Sequence, residues 1–74
     1  MKIEFARHGF VVFSAKNEAE IPKLNRWVDL IKKELPELSQ LGETPLNRSF
    51  VYQNTLYSKG QIKEKAAKAK AELH

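Results

Sequence analysis

Two short segments near the start of the chain, Lys2 to Ala6 and Phe10 to Ser14, are dense in aromatic and β-branched residues and flank His8-Gly9. That pattern predicts a β-hairpin. A two-residue turn at His8-Gly9 would set Phe5 opposite Val12, Arg7 opposite Phe10 and Ile3 opposite Ser14. One face would then carry Ile3, Phe5, Phe10 and Val12, and the other Glu4, Ala6, Val11 and Phe13. Such a turn needs positive φ, which Gly accepts freely and His tolerates better than most residues. One continuous strand through residue 14 is the alternative.

The period then changes. Ile21, Leu24, Val28, Ile31 and Leu35 recur at helical spacing within the run Asn17 to Leu35, which predicts a long amphipathic helix. Asn17 with Glu20 has the form of a capping box, whereas Pro22 suits the first helical position, so two starts compete. Pro36 ends the helix at Leu35 and opens a short turn through Leu41, stopped by Gly42 before the loop Glu43-Thr44-Pro45. Ser49 to Tyr57 is again rich in strand formers. It reads either as one strand or as a hairpin turning at Gln53-Asn54, with Val51 across from Leu56 and Phe50 across from Tyr57. Ser58 with Gln61 is a second capping-box pattern, opening a Lys/Ala-rich helix whose apolar line is Ile62, Ala66, Ala69 and Leu73.

These elements describe one small α+β domain over residues 1–74. A small antiparallel sheet, made of the N-terminal hairpin plus one or two later strands, packs against the long helix, and residues 59–74 form a basic terminal helix that extends from the body or docks on it. At 74 residues such a domain has a net stability of only about 4 to 11 kcal/mol. With no Cys, neither disulfides nor thiolate chemistry contribute. The N-terminal segment lacks the apolar run of a secretory signal, and no stretch approaches the roughly 20 apolar residues of a membrane span, so a cytoplasmic, membrane-free protein is expected.

Charge is distributed unevenly. Lys59, Lys63, Lys65, Lys68 and Lys70 face only Glu64 and Glu72 in the last 16 residues, so this segment holds +3 of the net +4. A near-neutral body carrying a basic helix differs from a uniformly basic nucleic-acid binder.

Little else carries chemistry. Arg7-His8-Gly9 after a strand resembles the opening motif of the histidine-phosphatase family, in which the histidine accepts a phosphoryl group. Here Phe10 stands where that family usually has Glu or Gln, the only other histidine is His74, and the chain is too short for that family's large sheet. The tripeptide is read as a turn. Two distant histidines and scattered carboxylates do not make a metal site. Gly9, Gly42 and Gly60 are isolated, so no phosphate-binding loop is present, and Asn47-Arg48-Ser49 matches a glycosylation acceptor in letters alone. No catalytic residue, metal, cofactor or small-molecule substrate is expected.

Two surfaces remain. Trp27 borders the apolar stripe of the long helix and Leu30 falls beyond it. The pair is read either as the edge of the core or as an anchor patch rimmed by Lys23, Arg26 and Glu34 for a protein partner. On the terminal helix, Lys59, Lys63 and Lys70 fall on one flank of the apolar line and Lys65 and Lys68 on the other. With Arg48, Tyr52 and Tyr57 as further contacts, Lys59, Lys63 and Lys70 offer an alternative nucleic-acid surface. Only three of the thirteen basic residues are Arg, the type best suited to bidentate phosphate and base contacts. The expected function is a non-catalytic interaction module that binds another protein, as adaptor, inhibitor or self-associating subunit. Nucleic-acid binding is the competing expectation.

Overall fold

The computed structural model describes residues 1–43 and 48–73. The Thr44-Pro45 part of the expected loop, Asn47 and His74 lie outside the described residues. Within them the chain is α+β, in the order β1 (Lys2–Phe5), β2 (Phe10–Ser14), α1 (Ile21–Glu34), β3 (Ser39–Glu43), β4 (Ser49–Gln53) and α2 (Lys59–Ala71). The four strands form one antiparallel sheet in the order β1-β2-β4-β3.

The hairpin forms, but its register is one residue away from the expected one. Phe5 lies opposite Val11 and Ile3 opposite Phe13, because the connection has three residues, Arg7-His8-Gly9, closed by the Ala6 amide donating to the Phe10 carbonyl at 2.8 Å. A one-residue slip changes which side chains share a face. The observed register gathers Ile3, Phe5, Val11 and Phe13 on one side, where β4 adds Phe50 and Tyr52. Val11, Phe13, Phe50 and Tyr52 are buried there. The opposite face carries Lys2, Glu4, Phe10, Val12 and Val51, none of them buried. Both His8 and Gly9 have positive φ, 62° and 78°, as a tight turn with this composition requires.

The two competing helix starts are both used. Asn17 Oδ1 accepts the Glu20 amide at 3.2 Å and begins a single 3-10 turn, Glu18–Glu20. α1 then starts at Ile21 with Pro22 inside its first turn, where the missing N–H leaves no bond unmade. Leu24, Val28, Ile31 and Leu35 are buried as their spacing predicts. Leu35 leaves helical geometry immediately before Pro36.

Two expectations for the second half fail, the first in part. Pro36 does open a short turn, closed by the Leu38 amide donating to the Leu35 carbonyl at 3.1 Å, but the turn does not run through Leu41. Ser39 already enters edge strand β3, and Leu41 is the extra residue of a bulge where the pairing with β4 shifts between Gln40 and Gly42. The hairpin at Gln53-Asn54 is absent as well, and so is a single strand through Tyr57. β4 already has β2 and β3 as neighbours, so neither side is open for a returning strand. The Asn54 side chain captures the next residues instead, with Oδ1 accepting the Leu56 and Tyr57 amides and Nδ2 donating to the Tyr57 carbonyl.

α2 opens on the expected capping box. Ser58 Oγ accepts the Gln61 amide at 3.1 Å and Gln61 Oε1 accepts the Ser58 amide at 2.9 Å. Ile62, Ala66 and Ala69 are buried, so α2 docks on the body and does not project from it. It runs antiparallel to α1, as three contacts along its length show. Trp27 Nε1 donates to the Ala66 carbonyl at 2.8 Å, Arg26 donates to the Leu73 carbonyl at 2.9 Å, and Glu34 pairs with Lys65 and Lys68 at 3.6 and 3.8 Å. The small side chains of Ala66 and Ala69 allow this close approach. Trp27 fills the junction, its ring edge-on to Phe13 with centroids 5.3 Å apart.

Candidate functional site

The docking of α2 separates its lysines into two sets. Lys65 and Lys68 turn toward α1 and share Glu34. Lys59, Lys63 and Lys70 turn toward β1, and among the described residues none of them has a carboxylate within ion-pairing distance. Their ammonium groups lie over aromatic rings instead. Lys59 and Lys63 are 5.8 and 5.6 Å from the Phe5 centroid, and Lys70 is 5.8 Å from Trp27. Such contacts hold the stems on apolar surface while the charged ends stay in water. The charges are therefore displayed in a row along a packed helix.

Between this row and β1 runs an open groove of about 200 Å³, floored by Ile3, Trp27 and Ala66 and bordered by Lys63 and Lys70. Two carboxylates of this end of the fold are engaged in ion pairs. Glu4 pairs with Lys2 at 3.2 Å, and Glu20 pairs with the Met1 amino group at 2.9 Å. The bond from that amino group, followed by the bond from the Lys16 amide at 2.7 Å, holds the Glu20 carboxyl below its ordinary pKa of 4.5. Because the folded value is the lower one, the stability contributed by Glu20 is fully present above about pH 4.5 and is lost as pH falls through the depressed folded value. An acid titration of thermal stability is expected to show a shallower decline for Glu20→Gln than for the native chain. Identical curves would mean that this pair does not fasten the start of β1 to α1.

The residues expected to form a partner patch are brought together only in part, Leu30 with Arg26. Trp27 is only 3% exposed and is occupied by the helix junction, the core-edge role. Leu30 is half-buried against the core and lines an open recess of about 270 Å³ with Arg26, Asp29, Glu72 and Leu73. Lys23 and Arg26 are exposed, with Arg26 bonded across to Leu73. Glu34 is taken by the two lysines of α2. The alternative nucleic-acid set divides too. Arg48 is exposed, and Ser14, the β2 residue preceding the Ala15 amide that Arg48 receives, is the strand's last. Tyr52 is 1% exposed and packs edge-on to Phe13 at 5.7 Å, so its ring is no stacking platform. Half-buried Tyr57 accepts the Glu37 amide at 3.4 Å. Lys59, Lys63 and Lys70 do come together, beside β1.

The partners of that row, Phe5 and Ile3, were legible as strand residues only. Nothing in the linear order indicates that α2 comes to lie along β1. Among the described residues no three His, Asp or Glu side chains group as metal ligands, and no helix is long and apolar enough to cross a membrane. No family model, curated protein or solved structure matches the chain.

Proposed function

We propose that this protein is a non-catalytic module that binds another protein through the surface formed by α2 and β1. One observation supports the reading above the rest. The five lysines of α2 are not equivalent: Lys65 and Lys68 share the one Glu34 carboxylate within the fold, whereas among the described residues Lys59, Lys63 and Lys70 have no carboxylate within ion-pairing distance, and Lys63 and Lys70 line an apolar-floored groove. A helix that needed lysines only for solubility would gain nothing from this sorting. Apolar surface bordered by unpaired charge is a common form of a protein-binding site.

Nucleic-acid binding is the second reading, favoured by the same unpaired lysines. Salt separates the two. Binding that rests on phosphate contacts falls linearly in log-log form as salt rises, by about five- to eightfold for each tenfold increase in salt per phosphate neutralised, whereas an interface with an apolar floor is less sensitive. Immobilised protein is expected to retain a protein partner from a nuclease-treated extract at about 0.15 M salt, and Lys63→Glu with Lys70→Glu to abolish that retention. Retention that disappears with nuclease treatment would overturn the protein-binding reading in favour of the second.

A further inference from the structure

The groove is bounded on one side by a sheet edge, and that edge determines what fits. β1 is the terminal strand of the order β1-β2-β4-β3. The Ala6 amide bonds the Phe10 carbonyl, so with the observed register Glu4 and Lys2 are the residues of β1 that exchange bonds with β2. In an antiparallel ladder the intervening residues direct their N–H and C=O groups away from the partner strand. The N–H and C=O of Ile3 and of Phe5 therefore face outward, and among the described residues no hydrogen bond to them is seen. Their side chains point to the helix side, where Phe5 lies under Lys59 and Lys63.

We infer that the groove takes an extended acidic segment of another protein, which adds to β1 as a fifth strand; this inference rests on the protein-binding reading above. The main chain of such a segment supplies both donors and acceptors to match Ile3 and Phe5. A phosphate backbone matches the two N–H groups but leaves the two carbonyls facing acceptors. Side chains on alternate residues of an added strand rise about 6.6 Å apart, and Lys59 and Lys63 are about 6 Å apart along the helix axis. Carboxylates two residues apart can thus meet both ammonium groups, with Lys70 reached further along the strand. A second copy of this chain is the wrong occupant. Two-fold pairing of β1 with itself would put both α2 helices on the same face of the joined sheet and bring like lysine rows together, in a protein of net charge +4.

The test uses the full chain and the fluorescence of Trp27, the single tryptophan, which forms part of the groove floor. An N-acetylated peptide of about eight residues alternating Glu with Thr is titrated in, beside the same peptide N-methylated on alternate amides and an oligothymidylate of equal charge. Saturable binding of the first is expected, with at least about tenfold weaker binding of the N-methylated peptide and of the oligonucleotide, and about tenfold weaker binding to the Lys63→Glu variant. Lys63 is exposed, and an unchanged circular dichroism melt checks that the variant folds. Equal binding of the N-methylated peptide would overturn strand addition, and tighter binding of the oligonucleotide would overturn the acidic-peptide assignment. If no peptide binds while Lys63-dependent retention of a protein from nuclease-treated extract persists, the strand inference fails and the protein-binding reading stands. If that retention is absent too, both fail.

Discussion

Gly9→Ala is expected to destabilise the protein by about 2 to 4 kcal/mol, a large share of what a 74-residue domain possesses. Two independent costs add. The residue sits at φ 78°, where an L side chain crowds the following carbonyl at a cost of about 1 to 2 kcal/mol. A Cβ there would also stand 2.5 Å from the Asn54 carbonyl oxygen. That oxygen is backbone and cannot swing aside, so the end of β4 must move away, straining the bond from the Asn54 amide to the Gly9 carbonyl, now 2.8 Å. Thermal unfolding should show the midpoint falling by more than about 10 °C, since each kcal/mol shifts a domain of this size by roughly 4 to 8 °C. A fall of only a degree or two would mean that the turn relaxes without disturbing β4.

Trp27→Ala is the second large effect, expected to cost about 3 to 5 kcal/mol and to leave a chain near the margin of folding. The indole is buried where β2, α1 and α2 meet, against Phe13 and under the Ala66 carbonyl. Alanine leaves a cavity that neither Ala66 nor Ala69 is large enough to fill. Trp27→Phe keeps a six-membered ring against Phe13 but loses the five-membered ring with its N–H, so a smaller loss of about 2 kcal/mol is expected. Urea denaturation followed by circular dichroism measures both. Equal losses for the two variants would assign the role of Trp27 to its N–H-bearing ring and not to the six-membered ring packed on Phe13.

The helices were legible because their signals are local. The 3- and 4-residue spacing of Leu24, Val28, Ile31 and Leu35, the stop at Pro36 and the Ser58–Gln61 box each need only neighbours in the chain, and each has its structural counterpart. The sheet was legible in outline and not in detail, because pairing depends on residues far apart. A two-residue and a three-residue turn through His8-Gly9 are equally compatible with the local composition. What selects the longer one is the gathering of Val11 and Phe13 with Ile3 and Phe5 over the helices. β3 has no apolar alternation, since Ser39-Gln40-Leu41-Gly42-Glu43 is an edge held by main-chain bonds to β4. The hairpin expected after Gln53 overlooked the capacity of a single Asn54 side chain to bind three main-chain groups.

At the candidate site, the grouping of Lys59, Lys63 and Lys70 on one flank followed from helical geometry alone. That this flank lies over Phe5 and Trp27 beside an open strand edge followed only from the tertiary arrangement. Trp27 and Tyr52 show the other side of the same difficulty. Large aromatic side chains serve cores and interfaces equally well, and burial at 3% and 1% assigns both to the core.

The most direct measurement is amide hydrogen exchange of the full chain with and without the alternating acidic peptide, read residue by residue. Strand addition at β1 predicts that the Ile3 and Phe5 amides, which face outward in the free protein, become protected on binding, while Glu4, already bonded to β2, changes little. Unchanged exchange at Ile3 and Phe5, with binding registered only at the lysine side chains, would contradict the account.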